Sequence, residues 1–170
     1  WDESQGYSEA ARAVLAQPDG VAFAIFDARI AAIARQFEDF RQAEAQGAVH
    51  MADTLEDLAR ILGVPAAALT EDVNLCGAEG PDRFGRIFTT PPLTPPFAGV
   101  RVTGALFHTQ GGLVTDGTGQ VLRTDGRAIP GLFAAGGAAC GVSGQGDSGY
   151  LSGNGLLAAV TLGFAAGRAP

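Results

Sequence analysis

The sequence predicts an α+β chain: a mainly helical first half with one or two strands, then short strands closed by a C-terminal helix. Three observations carry this. Apolar residues recur at helical spacing up to about residue 80. A proline-rich crossing, Thr89-Thr90-Pro91-Pro92-Leu93-Thr94-Pro95-Pro96, then interrupts the chain, too stiff for a helix and short of N–H donors for a sheet interior. Beyond it, brief apolar runs alternate with Asp/Gly turns until an Ala/Leu-rich stretch begins at Asn154. The crossing divides the chain into residues 1–92 and 93–170. With 46% apolar and 17% charged residues among 170, both parts can bury a core.

In order along the chain, Ala11, Val14 and Leu15 give a first helix over Ser8 to Gln17, and Pro18-Asp19-Gly20 turns it into the apolar run Val21 to Phe26, a buried strand. Asp27 can cap the next helix. Ile30, Ile33, Ala34, Phe37 and Phe40 predict about four turns with one buried stripe, ending near Gly47. Asp53-Thr54-Leu55-Glu56-Asp57 supplies a cap and an acidic first turn for a helix that buries Leu55, Leu58, Ala59 and Leu62 and stops at Gly63. Pro65 opens another, carrying Leu69 and Val73. In the second half, strands are expected over Gly99 to Thr103, Gly112 to Thr115 and Gln120 to Arg123. A buried strand is expected at Leu132-Phe133-Ala134-Ala135-Gly136-Gly137, with the final helix from Asn154 to Gly167.

Charge and composition exclude several functions. A net charge of −7 and a pI near 4.6 leave no basic face for phosphates, so nucleic acid is not an expected partner. All 11 basic residues are arginines, and without lysine neither Schiff-base nor P-loop lysine chemistry is open to these residues. Cys76 and Cys140 fit neither a redox nor a zinc pattern and read as two reduced, buried thiols, and no metal site is expected. No apolar run approaches the ~20 residues of a membrane span, so a soluble, cytoplasmic protein is expected. The start, Trp1-Asp2-Glu3, has no initiator methionine, and the natural start is expected upstream.

Gly144-Gln145-Gly146-Asp147-Ser148-Gly149 matches the letters of the dinucleotide fingerprint but neither follows a strand directly nor has an acidic residue about 20 positions on. The neighbouring Ser152-Gly153-Asn154-Gly155-Leu156-Leu157 is more informative. It opens an apolar helix whose N–H groups and positive dipole end suit an electron-rich oxygen, although a tight helix–sheet contact would also call for small residues.

Four ordered blocks carry a resemblance: Pro96 to Thr103, His108-Thr109-Gln110-Gly111-Gly112-Leu113, Ile129 to Gly136, and Gly153-Asn154-Gly155-Leu156-Leu157. Together they resemble the C-terminal half of the FAD-dependent fumarate reductase and 3-ketosteroid dehydrogenase flavoproteins. Upstream, Phe26-Asp27, Asp53 to Ala59 and Asp82-Arg83-Phe84-Gly85-Arg86 resemble that family's substrate-side capping domain. The resemblance implies that 1–92 is a capping domain incomplete at its N-terminus. It makes 93–170 the returning segment, with short strands and the C-terminal helix, of a Rossmann-like FAD-binding domain. It assigns cofactor contacts to Gly136, Gly137, Gly155, Leu156 and Leu157. At Gly137 the chain departs from fumarate reductases, which carry a glutamate there. The family's N-terminal fingerprint is also missing, so the fragment alone is expected not to retain FAD, and its uncovered apolar surface is expected to favour self-association.

Two tyrosines bear on the substrate. Where fumarate reductases use one arginine to donate a proton and another to clamp a carboxylate, this chain has Tyr7 and Tyr150, the two tyrosines it contains. Losing both guanidinium forks argues against a dicarboxylate. Ketosteroid dehydrogenases resemble the chain better at both places. Removing hydrogen beside a ketone needs a base for the α-proton and a donor for the developing enolate oxygen. A phenol, ordinarily near pKa 10, needs an activating neighbour for the first task. His108 stands where fumarate reductases hold a substrate carboxylate, and His108 with Gly153 are the substrate-side candidates. Each has a plain alternative: a packed ring for the tyrosines, a hydrogen-bonded structural residue for His108.

The expectation is therefore an FAD-dependent oxidoreductase acting on a C–C bond adjacent to a carbonyl, by dehydrogenation or ene reduction. Its catalytic pair is Tyr7 and Tyr150, its partner a small carbonyl-containing substrate, and an external electron donor or acceptor completes the cycle. The alternatives are a reductase of an unsaturated carboxylic acid held by His108, and a cofactor-free module.

Overall fold

The computed structural model describes residues 5–76, 80–82, 84–105, 109–144 and 146–169. Among them lie six α-helices and two small antiparallel sheets, divided between two compact units, Trp1–Gly104 and Ala105–Pro170. No helix among the described residues is long and apolar enough to cross a membrane, and none of their His, Cys, Asp and Glu side chains group as metal ligands.

The first unit is built on a three-stranded sheet. Its strands are β1 (Val21–Asp27), β2 (Val49–Ala52) and β3 (Phe97–Thr103), with β3 in the middle, antiparallel to both neighbours. β3 lies beyond the proline-rich crossing yet packs with the first unit, because both of its edges are hydrogen-bonded there. A division at 92/93 would break both pairings. α1 (Tyr7–Leu15) and α2 (Ala28–Ala34) pack on β1 and β3.

α4 (Leu55–Leu62) and α5 (Ala66–Leu75) close the core. Thr54 caps α4, its Oγ1 accepting from the Asp57 N–H at 3.1 Å. That fixes the register in which Leu55, Leu58 and Ala59 turn inward to join Leu69, Val73 and Phe97.

The expected four-turn helix after Asp27 is instead two: α2 and α3 (Glu38–Ala45), separated by extended Phe37. Three residues of its apolar stripe, Ile30, Ile33 and Phe37, are exposed, while Ala34 and Phe40 are half-buried. Arginines hold the break. Arg41 donates to the Arg35 carbonyl at 2.7 Å, and Arg35 donates to both carboxylate oxygens of Glu44 at 2.6–3.1 Å, holding that carboxyl below its ordinary value. β1 is also less buried than its run of apolar residues suggests, since of its residues only Ala22 and Asp27 are fully covered.

Asp27 ties the crossing to this unit. Its Oδ1 accepts from the Ile30 N–H at 3.1 Å, and its Oδ2 from Arg29 at 3.1 Å and the Thr94 N–H at 3.3 Å. Arg29 also donates to the Pro91 carbonyl, and the Ala28 N–H to that of Pro96. Burial pushes the Asp27 carboxyl up, but the Ile30 and Thr94 N–H groups and the Arg29 charge outweigh it and hold it below the ordinary 3.8. A depressed folded-state value stabilises the fold fully above the unfolded value, and the gain disappears as pH falls through the folded one. We expect Asp27→Asn to flatten the loss of stability of the parent below about pH 4. Denaturant titrations at pH 6 and pH 3 check this, and equal acid losses in both proteins would contradict it.

In the second unit, β4 (Gln120–Leu122) and β5 (Ala128–Phe133) form a hairpin. Isolated bridges join Leu113 to Ala139 and Thr115 to Val121. The expected buried strand at 132–137 is displaced: β5 ends at Phe133 with Leu132 exposed, and Gly136–Ala138 form a 3₁₀ turn. Val121, Ala134 and Ala139 make a small core against Leu162 of α6 (Asn154–Gly167). Both cysteines are free. Cys140 is exposed rather than buried, whereas burial pushes the half-buried Cys76 thiol up, helped by the Asp72 and Asp82 charges.

Candidate active site

The described candidates fall into the two units separately. In the first, Tyr7 opens α1 and is 64% exposed, so its ring is no core element. His108 lies outside the described residues. A cavity of about 450 Å³ in the first unit is lined by Phe23, Ile25, Leu69, Val73, Asp82 and Phe84, among others, but by none of the sequence-predicted site residues. At its edge Arg86 pairs with buried Asp82 and stacks between Phe84 and Phe88, at 5.2 and 5.0 Å from their ring centres.

The second unit brings the remaining candidates together. The 3₁₀ turn carrying Gly136 and Gly137 packs on α6. Gly153 caps α6 in a left-handed conformation, φ 79°, that favours glycine. At this end the Asn154 N–H donates to the Leu151 carbonyl and the Leu157 N–H to that of Gly153. Between them Gly155 and Leu156 stand at the positive end of the helix. Leu156 and Leu157 are exposed, and space is open where a Cβ would stand on Gly155 or Gly137. Half-buried Tyr150 leads into this helix, its neighbour Leu151 also accepting from Nδ2 of Asn154 at 2.9 Å.

Gly136 and Gly137 differ physically. Gly136 has φ 57°, and a Cβ there would lie 3.3 Å from that of Ala159, whereas Gly137 has ordinary backbone and open space. Gly136→Ala should cost about 1–2 kcal/mol and Gly137→Ala less than about 0.5 kcal/mol. Thermal melts of the two variants compare them, and equal losses would contradict the difference.

Sequence reasoning missed three contributors. Asn154 is 2% exposed and locks the helix entry. Ser143 accepts from the Leu151 N–H at 2.9 Å. The glycines at 144 and 149 close a loop on itself, with the Gly144 N–H donating to the Gly149 carbonyl at 2.7 Å. The G-x-G-x-x-G letters therefore mark a closed loop that neither follows a strand nor itself opens α6. Glycine pairing at this spacing was the one available signal.

The sequence family described as an FAD binding domain matches residues 3–156, and the chain belongs to it. It is similar to FAD-dependent oxidoreductases acting on CH–CH groups. Among curated relatives it is 34% identical to "Probable fumarate reductase Ifc3" of Shewanella frigidimarina, over 94% of this chain and 27% of that protein. It is 36% identical to a 4-oxocyclohexanecarboxylate 2-dehydrogenase of Sinomonas cyclohexanicum, over 68% of this chain and 24% of the relative.

Among solved structures, the open conformation of a flavocytochrome c3 fumarate reductase matches with a TM-score of 0.72 and 31% identity, over 98% of this chain and 29% of that one. A 3-ketosteroid Δ1-dehydrogenase from Sterolibacterium denitrificans, in complex with 1,4-androstadiene-3,17-dione, matches at 0.66 and 25%, over 94% and 34%. The chain thus spans 24% to 34% of the length of these proteins. FAD is the cofactor the family implies. The open glycine positions, helix N-terminus and exposed leucines of the second unit fit one end of it.

Proposed function

We propose that the chain contributes to an FAD-dependent oxidoreductase that adds or removes hydrogen across a C–C bond beside a carbonyl. One observation carries this reading: a phenol, not a guanidinium, stands on the segment tied to the N-terminus of α6. In this reading the second unit is the returning segment of a Rossmann-like FAD domain and the first unit its substrate-side cap. Gly136, Gly137, Gly155, Leu156 and Leu157 hold the cofactor, which when bound supplies two-electron exchange with the substrate carbon.

The chain's own residues handle the carbonyl and the proton. Tyr150 donates one hydrogen bond to the carbonyl oxygen, where negative charge grows as the neighbouring carbon loses its proton. Tyr7 takes that proton, or returns it in the reductive direction. His108 and Gly153 complete the substrate side. A neutral phenol offers one donor, which suits a ketone or ester oxygen, whereas a carboxylate is best held by a planar charged fork. The similarity to a 4-oxocyclohexanecarboxylate 2-dehydrogenase, whose named compound carries a ring ketone beside its carboxylate, and to a ketosteroid dehydrogenase supports a cyclic ketone.

A second reading, reduction of an unsaturated carboxylic acid held by His108, is supported by the similarity to fumarate reductases. Steady-state assay of the complete, FAD-loaded flavoprotein that contains this chain, with a dye, against fumarate, succinate, a simple enoate and a cyclic enone or ketone, separates the two. We expect preference for the cyclic carbonyl compound. Tyr150→Phe should cost on the order of 1–3 kcal/mol in kcat/KM. Efficient fumarate turnover would overturn the proposal, and preference for the enoate would move the anchoring role to His108.

A further inference from the structure

Tyr150 is held by its backbone from both sides. The Gly149 carbonyl before it accepts from the Gly144 N–H at 2.7 Å, and the Leu151 N–H after it donates to Ser143 Oγ at 2.9 Å. Both anchors belong to adjacent residues, 143 and 144. The close approach depends on glycine: a Cβ on Gly149 would fall 2.4 Å from the Gly144 carbonyl carbon and 2.9 Å from its Cα, which no real side chain tolerates.

The next residue is fixed as well, since the Leu151 carbonyl accepts from both the backbone N–H and the Nδ2 of buried Asn154. The arm that carries Ser143 is laced to a neighbouring stretch in turn. The Cys140 N–H donates to the Leu113 carbonyl and the Gly141 N–H to that of Gln110, each at 2.9 Å. The two peptide planes flanking Tyr150 therefore have little freedom, and they set the direction of its Cα–Cβ bond (φ −63°, ψ 129°).

We propose that Ser143 is a positioning residue for Tyr150, its hydroxyl oxygen acting with the Gly144–Gly149 closure as a clasp that aims the phenol at the substrate carbonyl. This rests on the reading of Tyr150 as the carbonyl donor. A single hydrogen bond to a carbonyl oxygen is directional, and misplacing a catalytic group by about 1 Å can lower a rate by as much as about 100-fold. The Ser143 hydroxyl oxygen accepts one backbone N–H, a task that alanine cannot perform and threonine can.

The test uses the FAD-loaded full-length flavoprotein that contains this chain and its variants Ser143→Ala, Ser143→Thr, Tyr150→Phe and the Ser143→Ala/Tyr150→Phe double, with amide exchange at Leu151 as a readout independent of activity. We expect Ser143→Ala to speed exchange at Leu151 by at least about tenfold and to lower kcat on a cyclic ketone or enone by about tenfold with a smaller change in KM. Ser143→Thr should restore both to within about threefold, because the acceptor returns. In the Tyr150→Phe background, Ser143→Ala should add less than about twofold, since the group it aims is gone. Unchanged exchange at Leu151 in Ser143→Ala would overturn the clasp itself, whatever Tyr150 does. Faster exchange with full additivity in the double variant would overturn its link to Tyr150. Full activity of Tyr150→Phe would instead overturn the carbonyl-donor reading, leaving Ser143 the anchor of a loop without bearing on the reaction.

Discussion

Replacing Tyr7 by phenylalanine in the FAD-loaded full-length flavoprotein that contains this chain is expected to lower turnover by about 10²- to 10⁴-fold, the range for loss of a general acid–base group. Substrate affinity should change little, because one oxygen is removed and the ring stays. Tyr7 opens α1 and is 64% exposed, and phenylalanine keeps its ring, so little packing is lost. A purely structural tyrosine at such a place would give a variant near parental in every respect. The measurement is kcat and KM on a cyclic ketone or enone, with flavin content and melting temperature as controls. A fall in kcat at unchanged flavin content supports proton transfer, and turnover equal to that of the parent would reduce Tyr7 to a surface residue.

The largest expected loss of stability is at Leu58. It is fully buried at the centre of the cluster formed with Leu55, Ala59, Leu69, Val73 and Phe97, where α4, α5 and β3 meet. Leu58→Ala removes transfer free energy and leaves a cavity that α5 and β3 cannot fully close, for a cost of about 2–5 kcal/mol. Ile61 of the same helix, 42% exposed, is the control, and its alanine variant should lose less than about 1 kcal/mol. Denaturant unfolding of the two variants makes the comparison. A loss at Leu58 no larger than at Ile61 would mean that the cluster does not carry the stability of the first unit.

Membership of the flavoprotein family was legible because its blocks are runs of consecutive residues. Local physics was legible for the same reason: Thr54 three residues ahead of Asp57 announces a cap, the spacing of Leu55, Leu58 and Ala59 a buried face, and α6 falls where its composition places it. What misled the sequence reading was contact between distant residues. The stripe from Ile30 to Phe40 has a helical period, yet the helix breaks at extended Phe37, with arginine contacts around Arg35 and Glu44 across the break, and Ile30, Ile33 and Phe37 stay exposed. β2 is four residues long and exists through its pairing with β3, which follows it only after the two helices and the crossing.

The sequence by itself determined the family, the cofactor class, the lack of lysine, the presence of tyrosine at 7 and 150, and the helices whose caps and stripes are local. Only the tertiary structure decided that β3 belongs with the first unit, that Asp27 holds Thr94 across 67 positions, and that Ser143 anchors the backbone beside Tyr150. The physical reason is common to all three. Each is a hydrogen bond between groups distant in sequence or without a periodic signature, and a backbone N–H leaves no mark in the sequence of which acceptor the fold will bring to it.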